Sequence, residues 1–219
     1  MGRRKTSAAE RAEQAREAED YLRRYLAEAA PRLRWLRDEA ARSGGPTPDH
    51  LDHSRDSLVP LWTWAMDRFE ERSPDQPLDR VEEGLGRYFV PRGATLPIWY
   101  GRRAVQAPHF WSDDTLALLD ALVYYLAECL LRGNAEARWA VFHSDWRNHI
   151  DENQPVLTGF GEPVDLLLPA MNLAGRVHRR LHPEQARATG LPAAAPTDLR
   201  DWFDEITARA AVTGVPPQE

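Results

Sequence analysis

Ser112-Asp-Asp-Thr-Leu-Ala-Leu-Leu-Asp-Ala-Leu-Val-Tyr-Tyr-Leu-Ala-Glu-Cys-Leu-Leu-Arg-Gly133 is the stretch on which the fold turns. Its apolar positions, Leu116 to Leu130, cover most of the circumference of a helix. A helix that is apolar nearly all round lies at the centre of a domain. Ser112 stands where an N-cap accepts a backbone N–H, Asp113 and Asp114 suit the positive end of the helix dipole, and Gly133 fits the stop. The spacing therefore predicts a central helix over 113–132.

Working outward, Arg138-Trp-Ala-Val-Phe142 and Pro155-Val-Leu-Thr-Gly-Phe160 read as strands, with Leu166–Leu168 a short third one. The link from His143 to Gln154 is too long for a tight hairpin turn. Further helices are expected over about 170–182 and 197–211, joined by the Ala/Pro-rich 183–196. Upstream, Tyr21, Leu22, Tyr25, Leu26, Leu33 and Leu36 recur at helical spacing within 8–42. Pro31 is expected to end one helix there or to start another. A helix over 55–72 carries the stripe Leu58, Leu61, Trp62, Ala65, Met66 and Phe69, with Ser54 as its cap. A short helix is expected near 78–88, then an ordered loop held by Trp99, Tyr100 and Trp111.

The expected fold is α+β, predominantly helical, with a small two- or three-stranded antiparallel sheet packed on the central helix. Residues 1–45 form an N-terminal helical segment, 46–212 a single α+β domain and 213–219 a mobile tail.

Composition narrows the chemistry. The 219-residue chain is 42% apolar and holds eight Trp. It has material for a core and lacks the signature of a disordered protein. Cys129 is the single cysteine, which rules out an intrachain disulfide and any multi-Cys metal centre. Lys5 is the single lysine among 28 basic residues, so the body of the chain has neither a P-loop lysine nor a Schiff-base lysine. No apolar stretch reaches spanning length, and Met1 to Thr6 runs into a polar helix without a signal-type apolar region. A cytoplasmic protein with no membrane association is expected. The net charge of −6 is unevenly spread: residues 112–169 carry ten acidic and three basic side chains, while the remainder is close to balanced. That argues against nucleic acid as a partner and for a basic protein.

Several clusters invite chemistry. His143-Ser-Asp145-Trp-Arg-Asn-His149-Ile-Asp151-Glu152 sets two imidazoles among three carboxylates, which suits an acid–base pair or a metal, although the spacing matches no established metal motif. The alternative is a solvated connection between strands. Asp49-His-Leu-Asp-His53 reads as an ordinary loop between helices. Gly84-Leu-Gly86 lacks the third glycine of a dinucleotide fingerprint, and none of the seven serines lies in Gly-x-Ser-x-Gly. Cys129 is expected as a buried small hydrophobe. Glu128, late on the central helix, needs a partner if buried, with Arg138 or Asn153 as candidates; a general-base role is the alternative. Most tryptophans sit in apolar patterns. Trp146 instead sits in the polar link, where it is either a partner-binding anchor or a lid on the core.

Ser57-Leu-Val-Pro-Leu-Trp-Thr-Trp64, Leu96-Pro-Ile-Trp-Tyr100, Tyr125-Leu-Ala-Glu128, Ala137-Arg-Trp139 and Asn153-Gln-Pro-Val-Leu157 occur in this order. Together they resemble a group of uncharacterised actinobacterial proteins, and loosely the immunity proteins of bacterial polymorphic toxin systems. The resemblance spans about residues 54–169. It implies a helix–strand core and a non-enzymatic role, and it brings no established activity or catalytic residues; separately, no cofactor is expected.

Two functional classes follow. The first is a protein-interaction protein, in its sharpest form an immunity-type inhibitor, that meets a basic partner through Asp145, Trp146, Asp151 and Glu152. The second is a hydrolase or metal-dependent enzyme built on His143, His149 and neighbouring carboxylates. The first is preferred, because three kinds of catalytic machinery are absent from the sequence and the remaining candidates lack recognised spacing.

Overall fold

A computed structural model describes residues 8–83, 86–100, 110–144, 149 and 151–213. Its elements are α1 (Ala8–Arg42), a single 3₁₀ turn (Pro48–His50), α2 (Leu58–Met66), β1 (Leu78–Glu83), β2 (Gly86–Pro91), α3 (Asp113–Gly133), β3 (Arg138–Val141), β4 (Pro155–Thr158), α4 (Leu167–Leu181), α5 (Pro183–Thr189) and α6 (Asp198–Thr213). The strands form two separate antiparallel pairs, β1–β2 and β3–β4. The fold is thus α+β and predominantly helical. No helix among the described residues is long and apolar enough to cross a membrane.

The central helix is placed as its composition dictates. Ser112 Oγ accepts from Thr115 N at 3.2 Å, and the stretch from Leu118 to Ala127 is buried without a break. Its core is shared with α1, α2, α4 and α6 through Leu36, Trp62, Ala174 and Ile206. The helix runs on through Gly133 and its C-cap is Asn134 in extended conformation, so Gly133 is not the left-handed stop expected of it.

Pro31 neither ends nor starts a helix; α1 passes straight through it. An interior proline forfeits the bond to the carbonyl four residues back and costs about 3 kcal/mol. Here both Pro31 and Ala27, whose carbonyl is released, face solvent, so water can take the freed group. On the other face Tyr21, Tyr25, Leu36 and Ala40 are buried, and Tyr124 Oη donates to Tyr25 O at 2.7 Å. This face packs along α3 and holds the helix continuous.

Helix α2 is shorter than the 55–72 expected. At its start Ser57 N donates to Ser54 Oγ (3.2 Å) and Ser57 Oγ to Ser54 O (2.6 Å). Such a hydroxyl turn competes with helix. Beyond its end, Arg72 N donates to Phe110 O (2.7 Å) and Ser112 N to Glu70 O (3.0 Å), drawing 70–72 into pairing with 110–112.

The helix expected near 78–88 is a β-hairpin. Its ladder runs from Leu78↔Pro91 to Glu83↔Gly86, which leaves only Gly84 and Leu85 between the strands. Tyr88 and Val90 pack on the core while Phe89 between them is 44% exposed. That is the alternation of a half-buried strand. The charged residues of this window suggest a polar helix, and the two-residue link is the stronger signal.

The third strand expected over Leu166–Leu168 is absent: Val164 makes a single bridge to Leu157, and α4 starts at Leu167. The β3–β4 pair meets α1 through Trp139, whose ring stands edge-on to Tyr25 at 5.5 Å, while Leu157 and Phe160 join the cluster around α3. The linker expected over 183–196 contains α5, which ends on Gly190 in left-handed conformation. The core role assigned to the tryptophans holds for Trp62, Trp99 and Trp111, all fully buried; Trp64, Trp139 and Trp202 are partly so.

Candidate functional site

The link between β3 and β4 is closed at its base. Beyond the ladder, Phe142 N donates to Gln154 O and Asn153 N to Phe142 O, both at 2.9 Å. Glu152 N donates to His149 O (3.1 Å) and Asn153 adopts φ 62°, turning the chain into β4. The Glu152 carboxylate spans the opening: one oxygen accepts from Ser144 N at 2.8 Å and the other lies 3.3 Å from His143 Nδ1. His149 Nδ1 accepts from Asp151 N at 3.1 Å, and its ring lies 4.8 Å from that of Phe142. Of the four residues expected at a partner surface, Asp151 and Glu152 therefore sit at the foot of this loop. Asp145 and Trp146 fall outside the described residues.

His143 and His149 belong to different pairs, one with Glu152 and one with Asp151. No three of these four groups lie close enough to share an ion.

The acidity of 112–169 is contiguous in sequence but dispersed in space. Asp114, Glu136 and Glu162 are exposed, Asp151 and Glu152 are half-buried at the loop foot, and Glu128 lies 3.9 Å from Arg132 one turn on. Glu128 is thus a partly exposed partner of Arg132, not of Arg138 or Asn153. The buried carboxylate of α3 is Asp120, which is not among the residues singled out from the sequence. Trp99 Nε1 donates to its Oδ1 at 2.9 Å, and Arg32 Nε stands 2.8 Å from Oδ2. The Arg32 N–H is poorly aligned with that oxygen, so the contact is ionic in character. Burial pushes the Asp120 carboxyl up to about 6, with Arg32 and the Trp99 bond pulling the other way. A lone acid inside an apolar helical run is the signal that could have found it. Asp120 meets Arg32 and Trp99 deep in the fold, and its role is to join α1, α3 and the 92–100 segment.

His53 lies in the loop expected between helices, but its side chain is drawn into the core. It is buried, holds a left-handed φ of 62° and stacks on Tyr125 at 4.5 Å. Its backbone N–H donates to Tyr125 Oη (3.1 Å), which also hydrogen-bonds Ser57 Oγ (2.7 Å). Burial, with Arg132 and Arg37 nearby, lowers its imidazole to about 4, so it is neutral and structural. Cys129 is the buried hydrophobe expected, its thiol pushed up to about 12 by burial.

A second cluster is not apparent from the sequence. His178 and His182 stand one turn apart at the end of α4, and both turn Nε2 toward Glu71 Oε1, at 3.0 and 2.7 Å. Glu71 is fixed by its bridge to Trp111, and the His178 ring packs against Phe110 at 4.5 Å and Trp111 at 5.8 Å. Burial and the neighbouring imidazole lower the His178 pKa; the Glu71 hydrogen bond raises that of His182. The His-x-x-x-His spacing is legible once 167–181 is known to be helix. Glu71, more than a hundred positions earlier, is not.

Comparison with protein-family models, with curated proteins and with solved structures finds no match to this chain.

Proposed function

We propose that this chain is a non-enzymatic protein-interaction protein that engages a basic partner through the β3–β4 loop, with Asp145, Trp146, Asp151 and Glu152 contributing to the contact. Its sharpest form is an immunity-type inhibitor acting in the cytoplasm. The observation that carries the reading is the closed foot of the loop, where Glu152 bonds Ser144 and Phe142 pairs with Asn153 and Gln154. A segment whose two ends are already fixed loses less conformational freedom on binding than a free one, so more of its contact energy appears as affinity. Trp146 and Asp145 lie between those ends in sequence, a large aromatic beside a carboxylate, which is the composition of an interface anchor. Asp151 and Glu152 at the loop foot add negative charge beside the anchor, which acts on association rate and specificity more than on residence time.

The hydrolase alternative on His143 and His149 is not favoured by the described residues, because the two imidazoles stand against different carboxylates and no three of these groups converge on one point. The test is affinity capture from the native lysate with wild type and with Trp146→Ala/Asp151→Ala. A basic protein is expected on the wild type and at least about tenfold less of it on the double variant, the loss typical of one hot-spot residue. Equal recovery on both would remove the proposed surface.

A further inference from the structure

We propose that Glu71, His178 and His182 form a binding site for one divalent transition-metal ion of the zinc class, with its fourth position open to solvent. The proposal stands independently of the loop reading above. Two imidazole nitrogens and one carboxylate oxygen are the donor set of a three-ligand zinc site, and the nitrogen–oxygen balance excludes the hard cations that take oxygen alone. All three donor atoms lie within 4.8 Å of one another. Metal–ligand bonds of about 2.0–2.2 Å in tetrahedral geometry set donors roughly 3.3 Å apart. Glu71 Oε1 is 3.0 Å from His178 Nε2 and 2.7 Å from His182 Nε2. Metal entry therefore asks the carboxylate to retreat by about half an ångström, one small rotation of an exposed side chain.

The surroundings are those of a metal centre in two further respects. The first is the far nitrogen of His182: its Nδ1 lies 3.5 Å from Glu184 Oε1, at the start of α5. A carboxylate that closes to hydrogen-bond distance on the other ring nitrogen favours the tautomer that leaves Nε2 free to ligate and makes it more basic; Glu184 stands just outside that distance. The second is rigidity. The backbone of Glu71 is held by the bridge to Trp111, with Thr115 Oγ1 donating to Glu70 O (2.9 Å) next to it. The His178 ring is wedged against Phe110 and Trp111. Arg180, on the turn between the two histidines, pairs with Asp67 at 3.0 Å and ties the same two segments together beside the site.

Two imidazoles whose ring centres are 4.5 Å apart share one carboxylate oxygen. A divalent ion takes the place of the Nε2 protons that face the carboxylate, which are released or moved to Nδ1, and satisfies three donors at once. All three side chains keep part of their exposure, most at Glu71 and least at His178. The remaining coordination position therefore faces water and takes a water molecule or a small anion.

The test is a titration of the full-length, tag-free chain with Zn²⁺ against a chromogenic chelator, repeated with Co²⁺ for its visible spectrum. Wild type is expected to bind one equivalent with a dissociation constant of about 1 µM or tighter, and to give Co²⁺ the intense absorption of four- or five-coordination. His182→Ala is expected to weaken binding at least about 100-fold and Glu71→Gln at least about tenfold, both more than or equal to the loss from an outer-shell change. His143→Ala is expected to leave it unchanged. Glu71→Gln touches an exposed side chain, so it decides the matter if His182→Ala fails to fold. Binding weaker than about 100 µM in wild type, or unchanged binding in Glu71→Gln, would overturn the proposal.

Discussion

Arg32→Met is expected to lower the unfolding free energy by roughly 3–5 kcal/mol at about pH 8, whereas Asp120→Asn costs less than about 1 kcal/mol there or stabilises. The asymmetry follows from where the two charges sit. The Asp120 side chain is 1% exposed and Arg32 19% exposed. Removing Arg32 strands a carboxylate with only the Trp99 N–H to stabilise it. Asparagine at 120 keeps an acceptor for Trp99 and leaves a guanidinium that still reaches water. The pH dependence has a definite sign. In the folded chain the Asp120 carboxyl sits at about 6, above its ordinary 3.8. Between those values the folded state holds a proton that the unfolded chain has released. The contribution is therefore complete below about pH 4 and lost as pH rises through 6. Without Arg32 the carboxyl moves higher still, so the Arg32→Met deficit shrinks on going from about pH 8 to pH 5. Asp120→Asn removes this source of pH dependence altogether. Urea unfolding of the three proteins at both pH values measures all of it, and equal costs for the two substitutions would show that Arg32 does not stabilise a buried charge.

The second large effect is expected at Gly159. Gly159→Ala should cost roughly 3 kcal/mol or more, against about 1–2 kcal/mol for Gly190→Ala. Both glycines have left-handed φ, +99° at Gly159 and +66° at Gly190. The difference lies in what a Cβ would meet. At Gly190 there is nothing within 4 Å; at Gly159 it would lie 2.7 Å from Glu136 O and 2.8 Å from Ala137 Cα. Those are backbone atoms and cannot swing aside. Asn134 Nδ2 also donates to Gly159 O at 2.7 Å, holding the turn after β4 against the turn before β3. A methyl group there must separate the two turns or break that bond. Thermal unfolding of the two alanine variants compares them directly; equal shifts would show that φ alone sets the cost.

What the sequence discloses depends on whether the deciding interaction is local. The central helix is legible because its cap, its acidic first turn and its apolar circumference all lie within 112–133. Strands β3 and β4 are legible for the same reason. Pro31 misleads because propensity is a local rule, and the continuous α1 is held by tertiary packing of Tyr25 and Leu36 on α3. The end of α2 is set by pairing with residues about forty positions later, which no periodicity reveals.

The same divide runs through the sites. The 143–152 cluster is conspicuous because its histidines and carboxylates are neighbours in sequence, and its loop-closing bonds are equally local. The Glu71–His178–His182 cluster escapes notice because Glu71 joins the two histidines only in the folded chain. Asp120 escapes it because its meaning depends on Arg32 and Trp99, brought to it from α1 and from the segment after β2.

Whether the β3–β4 loop is the face this protein turns to a partner can be measured by photo-crosslinking. A photoreactive residue is placed at Trp146 and, as a control, at exposed Leu191, and each chain is irradiated in the native lysate. A basic protein should be captured from position 146 and not from 191, and Asp151→Ala in the same chain should reduce its yield. Capture of nothing from 146, or of the same proteins from both positions, would contradict a partner surface on this loop.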